Sequence, residues 1–383
     1  MTKYPMTEQR IFISACEASG DLHGSNLARA LRELEPSLKL LGLGDAKMAA
    51  AGVDVRHQMV HRSVMWLESL KRGREMLGVL RDCRRIFDQE RPDLVVVIDS
   101  IGLNLYVAKA AKQRGIPVMY YISPQLWAHG AWRVKKIKRL VDKVVVIYPF
   151  EEAIYCAAGV PARFVGHPLV DELTQKKLDE GAISAWKGQG DGPLIALLPG
   201  SRRQEIRNHA PILCEAVGRI LAEFPSTRFV VACADESGRA LSEELLAGRF
   251  PAELVAGKTS EAICASTLCL TCSGTATLDI AFYGKPMVIF YRIPPLGRFF
   301  SAPFMQTPFI GLPNVYAGRE VAPEFLLCRD RGDLVAGAAL ALLKSPERLS
   351  QAAHSLAEVK AAMGGPGASR RAAEEAIALL GRP

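Results

Sequence analysis

The chain has 383 residues, 49% apolar and 23% charged, the balance of a folded soluble protein with room for two ordinary domains and not of a disordered or fibrous one. Its formal charge of +8 favours anionic partners: nucleic acid, an acidic membrane surface or phosphorylated substrates. No stretch reaches the ~20 apolar residues of a membrane span, Met1 to Arg10 lacks a signal-peptide core, and the 9 cysteines show no paired metal spacing, so reduced thiols in a cytoplasmic setting are expected.

In chain order, Arg10 to Ala15 reads as a buried first strand, and Cys16-Glu17-Ala18-Ser19-Gly20-Asp21 as the turn into a helix from about Leu22 to Leu34. Small residues Ala18, Ser19 and Gly20 admit a ligand or another segment at close range; an ordinary turn would use Asp21 as the helix N-cap. Lys39 to Leu43 is a second strand, ending in a Gly42-Leu43-Gly44 that falls short of a dinucleotide fingerprint. Between His61 and Leu80, apolar Val64, Met65, Trp66, Leu67 and Leu70 stand among Arg62, Lys71, Arg72 and Arg74. That pattern suits an amphipathic helix packed on the core, or a wedge resting on an anionic membrane or clasping an acyl chain.

Leu94 to Ile98 is a central-strand run with Asp99 at its carboxyl end, where open α/β sheets bind ligands. Asp99 is placed to act as a general base towards a hydroxyl, or to cap the helix that begins near Asn104. After the strand Val118 to Ile122 come Ser123-Pro124-Gln125, Trp127 and Trp132, then the densest basic cluster of the chain, Arg133, Lys135, Lys136, Lys138, Arg139 and Lys143. On a helix this is a solvated basic face with Ile137 and Leu140 turned inward, or a surface for a phosphoglycolipid; no RNA-binding signature accompanies it, so no nucleic acid is expected. Lys143 to Ile147 is a further strand, and Gly166-His167-Pro168 closes the first domain, with His167 either facing a ligand or serving as a hinge.

The second half is built around Leu197-Leu198-Pro199-Gly200-Ser201-Arg202, a turn between the apolar run Pro193 to Leu198 and a helical stretch from Pro211 to Phe224. Gly200 permits a tight turn, Ser201 and nearby N–H groups can face an anion, and Arg202 adds a positive fork suited to phosphate. Cys272-Ser273-Gly274-Thr275 repeats the device after the strand near Leu268, with Asp279 one helical turn further on. Two phosphate-type turns and an acid in one domain point to a nucleotide-sugar diphosphate. Arg292 to Phe309, rich in Pro, Phe and Arg, suits an interface or a lipid-facing surface, and Asn314 follows Pro313 in a turn. Strands alternating with helices in both halves make the fold α/β, two doubly wound Rossmann-like domains facing a cleft. The expected bounds are 1–170, 171–355, and helices from 356–383 packing back on the first domain.

The ordered set Glu17-Ala18-Ser19-Gly20-Asp21, Ile98-Asp99, Ser123-Pro124-Gln125, Pro149-Phe150-Glu151, Gly166-His167-Pro168, Leu198-Pro199-Gly200-Ser201-Arg202, Ser273-Gly274-Thr275-Ala276 and Leu312-Pro313-Asn314 resembles the lipid-A-disaccharide synthase family, from about Arg10 to near the C-terminus. The resemblance implies a GT-B glycosyltransferase that transfers sugar from UDP-2,3-diacylglucosamine to 2,3-diacylglucosamine 1-phosphate with inversion, forming a β-1,6 disaccharide and UDP. By the same resemblance Asp99 takes the acceptor proton and Arg202 stabilises the leaving diphosphate, with no metal and no cofactor. Ser201 and the Ser273-Gly274-Thr275 backbone hold phosphate, Asp279 (where the family usually has Glu) holds the ribose, Asn314 helps hold the donor, and Ser19 and Gly20 line the cleft. A homodimer with exchanged C-terminal segments, peripheral on the cytoplasmic face of the inner membrane, is also implied.

The chain departs from the family pattern at Ser100-Ile101-Gly102-Leu103, where a second acid is usual, and at Cys16, Asp45 and Trp66-Leu67. The donor half is therefore retained better than the acceptor half. The alternatives are a GT-B UDP-sugar 2-epimerase, a paralogue with another acceptor, and a non-catalytic membrane scaffold. A dehydrogenase is disfavoured, since no G-x-G-x-x-G follows a strand.

Overall fold

The computed structural model describes residues 8–58, 69–125, 127, 133–294 and 307–381, without the side chains of 69–75. The apolar wedge at Val64 to Leu67, its flanking cations up to Arg74, Trp132 and the Pro295–Phe304 stretch lie outside that description. Two compact units divide the chain: Met1–Asp171 with Gly364–Pro383, and Glu172–Met363.

The first unit holds a parallel sheet of strands β1 (Arg10–Ala15), β2 (Lys39–Gly44), β3 (Asp54–Gln58), β4 (Leu94–Ile98), β5 (Val118–Tyr121), β6 (Lys143–Val146) and β7 (Ala162–Phe164). Their order is β3-β2-β1-β4-β5-β6-β7. The run Leu-Val-Val-Val-Ile of β4 is buried throughout, as a strand covered on both faces requires. On one face Phe12, Val95, Val97, Tyr120 and Val144 meet Phe87 of the helix Ser69–Glu90 and Val107, Ala108 and Ala111 of the helix Ile101–Lys112. On the other, the helix Ala18–Leu34 packs beside the last helix, Ala368–Leu380. That last helix presents an alanine stripe, Ala368, Ala372, Ala373 and Ala376, each fully buried. Asp171 accepts hydrogen bonds from the N–H groups of Gly367 and Ser369 at its start, and Arg371 donates to the Val165 carbonyl at 2.8 Å. The preceding helix, Pro346–Ala362, belongs to the second unit.

The second unit contains β8 (Leu194–Leu198), β9 (Arg228–Cys233), β10 (Glu253–Ala256), β11 (Leu268–Cys272), β12 (Met287–Arg292) and β13 (Glu324–Leu327). They run parallel in the order β10-β9-β8-β11-β12-β13. Both sheets reverse their winding beside the first strand, between β1 and β4 and between β8 and β11. At such a switch point the two adjacent connections leave in opposite directions and open a crevice beyond the strand ends.

Three local expectations need correcting. The helix expected from Pro211 begins instead at Arg203 and runs to Glu223 with Pro211 inside it. Its start is set by the Glu205 carboxylate accepting from the Arg202 N–H, and Pro211 is accommodated inside the helix without the backbone bond its missing N–H would have made. Asp21 does not cap its own helix: it is buried within it and accepts from the N–H groups of Asp45, Lys47 and Met48, capping the helix Ala46–Ala50 across space. The helix after Asp99 starts at Ile101, ahead of Asn104.

Candidate functional site

The first unit's candidate residues gather at the β1/β4 switch point. Asp99 leaves β4 with a left-handed φ of +52°. Its carbonyl accepts from the Tyr120 hydroxyl at 2.6 Å, and Asn104 donates to the Ile98 carbonyl at 2.7 Å and the Asp99 carbonyl at 3.4 Å. Asn104 is itself held by the Ser14 hydroxyl of β1 at 2.7 Å. The backbone is thus pinned from two neighbouring strands while the carboxylate stays available. The Ser19 side chain, in the first turn of the helix Ala18–Leu34, favours the ionised form of that carboxylate. Burial, and secondarily the negative charge of Glu17, raise the Asp99 pKa above the usual carboxylate range, against the opposing bonds from the Ser100 N–H and Ser19. A half-buried carboxylate of raised basicity is suited to accept a proton from a hydroxyl. Gly20 lies buried in the first turn of its helix, where an added Cβ would meet Ala15 at an ordinary 3.4 Å, so it contributes backbone only.

In the second unit, the turn after β8 carries Gly200 at φ +129°, where a Cβ would fall 2.6 Å from the Cβ of Glu205; only glycine fits. The exposed Ser201 and Arg202 follow. Their N–H groups both donate to one Glu205 carboxylate oxygen, at 3.1 and 3.2 Å. The anion on the turn is therefore the chain's own, and a phosphate taking those donors must displace it. The Arg202 side chain is 81% exposed and reaches Glu205 at 3.3 Å. After β11, the Ser273 N–H belongs to the ladder with Phe290 and its hydroxyl donates to the Ile310 carbonyl at 2.5 Å, while Gly274 and Thr275 are exposed at the start of the helix Ala276–Phe282.

Asp279, on that helix, has its pKa pushed up to about 7, by burial first, with Lys176 lowering it and Glu172 raising it. Its Oδ1 is buried without a hydrogen-bond partner, an acceptor lacking a donor. Asn314 departs from expectation. It is fully buried, donating to the Ala322 carbonyl and Glu324 at 2.8 Å each and accepting from the N–H groups of Val321 and Ala322 at 2.8 and 3.0 Å. With all four positions filled, its side chain folds the loop before β13 and has none left for a ligand.

Two doubly wound parallel sheets, each with its own switch point, are the architecture of the GT-B class. Solved structures of this fold include UDP-GlcNAc 2-epimerase from Neisseria meningitidis bound to UDP-GlcNAc (TM-score 0.65, 13% identity, 97% of this chain and 100% of that one). They also include Acinetobacter baumannii MurG (TM-score 0.58, 13% identity, covering 97% and 99%). The lipid-A-disaccharide synthetase family model matches residues 11–378, and the chain belongs to that family. Curated relatives are the lipid-A-disaccharide synthases of Syntrophus aciditrophicus (34% identical over 98% of this chain and 99% of that one) and Pseudomonas fluorescens (40% identical over 84% and 86%).

Residues that sequence reading passed over are Glu17, Asn104, Tyr120 and Glu205. Glu17 lay in a quoted motif and Glu205 three residues past one, and their acidity beside a candidate base and an anion turn was the available signal. Tyr120 and Asn104 act through strand neighbours, which no local pattern reveals.

Proposed function

We propose that this chain is an inverting glycosyltransferase joining UDP-2,3-diacylglucosamine to 2,3-diacylglucosamine 1-phosphate, with release of UDP and formation of the β-1,6 lipid A disaccharide. The observation that carries this reading is the family match over residues 11–378, together with Asp99 and Arg202 each standing at the switch point of its own sheet. Asp99 takes the proton of the acceptor hydroxyl as oxygen attacks the anomeric carbon and the bond to the diphosphate breaks. Arg202, with the N–H groups of Ser201 and the exposed Gly274-Thr275 turn, meets the charge that grows on the leaving diphosphate, so no metal or cofactor is invoked. Ser19 orients Asp99. The test is product identity: mass spectrometry and proton coupling constants should show a β-linked disaccharide, whereas a C2-epimerised UDP-sugar would make the chain an epimerase.

Asp279 accepts a ribose hydroxyl at its unpartnered Oδ1. Ionised acceptors bind more strongly than neutral ones, so UDP binding favours the carboxylate and should strengthen as pH rises through about 7. In Asp279→Asn, calorimetry should show UDP bound roughly tenfold more weakly at pH 8, with the part of the pH dependence centred near 7 lost. An unchanged affinity would remove Asp279 from the ribose site.

A peripheral place on the inner membrane is supported by the first unit's surface. Lys135, Lys136, Lys138 and Arg139 are exposed on the helix Val134–Leu140, with Lys136 over the ring of the 45%-exposed Tyr106. Among the described residues no helix is long and apolar enough to cross a membrane. Each cation near an anionic surface contributes about 1 kcal/mol. Lys135→Gln with Lys138→Gln should therefore weaken binding to phosphatidylglycerol vesicles by roughly 30-fold in flotation assays, at low salt. A homodimer completes the proposal.

A further inference from the structure

His209 is fully buried in the helix Arg203–Glu223, behind the phosphate-type turn. Its Nδ1 lies 2.6 Å from the carbonyl oxygen of Pro199, the residue that opens Pro199-Gly200-Ser201-Arg202. Its Nε2 lies 3.2 Å from the backbone N–H of Arg292, the last residue of β12. A carbonyl only accepts and an N–H only donates, so the two contacts together demand a proton on Nδ1 and a lone pair on Nε2. One neutral tautomer satisfies both. The ring stands edge-on to Phe290 and Tyr291, centroids 5.3 Å away in each case, which fixes its plane.

We propose that His209 is a positioning residue for the donor diphosphate: its neutral Nδ1–H tautomer clamps the Pro199–Arg202 turn to the end of β12, and protonation releases the clamp. The inference rests on reading that turn as the diphosphate site. Gly200 to Arg202 are exposed or half-exposed; the Glu205 carboxylate holds the N–H groups of Ser201 and Arg202, and the His209 ring at the Pro199 carbonyl ties the start of the turn to the core. A proton on Nε2 would point N–H at N–H towards Arg292 and break the link to β12. The charged groups facing the ring are Glu205, on its own helix, which favours the proton, and Arg292, on β12, which opposes it. The Arg292 guanidinium is in turn paired with Asp330 at 3.2 Å. Burial dominates and lowers the histidine's pKa, so the clamp holds at neutral pH and opens on acidification.

The test is UDP binding by calorimetry from pH 5 to 8 with the full-length protein, His209→Phe and His209→Asn, each checked for folding by thermal melts in the same buffers. Phenylalanine keeps the ring packing without the hydrogen bonds and should weaken UDP binding about tenfold at pH 7.5. Asparagine keeps a non-titrating donor within reach of Pro199; it should recover most of that affinity and lose part of the acid decline seen in the wild type. Asp279 and the UDP phosphates titrate alike in all three proteins, so the difference between profiles belongs to His209. Equal affinity of Phe and wild type, or identical profiles of Asn and wild type, would overturn the clamp. Should the Phe variant not fold, the Asn comparison decides alone. Failure of the wild type to bind UDP at any pH would overturn the diphosphate reading of the turn, and the clamp with it.

Discussion

Asp99→Asn should lower kcat by about a thousandfold, within the range of a lost general base, and leave UDP affinity unchanged. The substitution is well suited to the site. Asn tolerates the left-handed φ of +52° as Asp does, and the bonds from Tyr120 and Asn104 go to backbone carbonyls that the variant keeps. The fold is therefore retained while the proton acceptor is lost. The pH profile adds a second readout. The base is the ionised form, and its pKa is raised by burial and then by Glu17, so kcat should fall with acidification through a value above the usual carboxylate range. Glu17→Gln removes the repelling charge, makes ionisation of Asp99 easier and should shift that acid limb to lower pH. A kcat within tenfold of wild type in Asp99→Asn would assign the base elsewhere.

Arg202→Ala should cost 10²- to 10³-fold in kcat, the scale of deleting one preorganised donor to a developing oxyanion. Its side chain is 81% exposed, so its pair with Glu205 at 3.3 Å is largely screened by water and adds little to stability. A small change in Tm beside a large change in kcat is the expected combination, measured by thermal melts and initial rates on one preparation. Arg202→Lys keeps the charge without the planar fork and should fall between the two. Equal rates for wild type and Ala would leave the leaving-group charge to the backbone turns.

The strands were legible because parallel sheets buried on both faces write themselves as apolar runs: Leu94–Ile98, Leu194–Leu198 and Leu268–Cys272 carry the pattern directly. Asp99 and Arg202 were legible because each follows such a run at a strand's carboxyl end. The strand order was not, since it depends on pairings between segments as distant as Ile11 with Leu94. Asp21 shows the same limit, because it caps a helix more than twenty residues away and its neighbours in sequence are silent about that. Asn314 was expected in a turn after Pro313, but the structure places it in the helix Leu312–Ala317, where Val321, Ala322 and Glu324 consume its hydrogen-bonding capacity. Likewise, the tight turn at Gly200 could be read from sequence, whereas the Glu205 carboxylate seated on its N–H groups could not.

The most direct measurement of the central claim is UDP release from UDP-2,3-diacylglucosamine in mixed micelles, with and without 2,3-diacylglucosamine 1-phosphate. Glycosyl transfer predicts UDP released only when the acceptor is present and in step with the disaccharide formed. UDP release that ignores the acceptor, or no turnover with both lipids present, would contradict it.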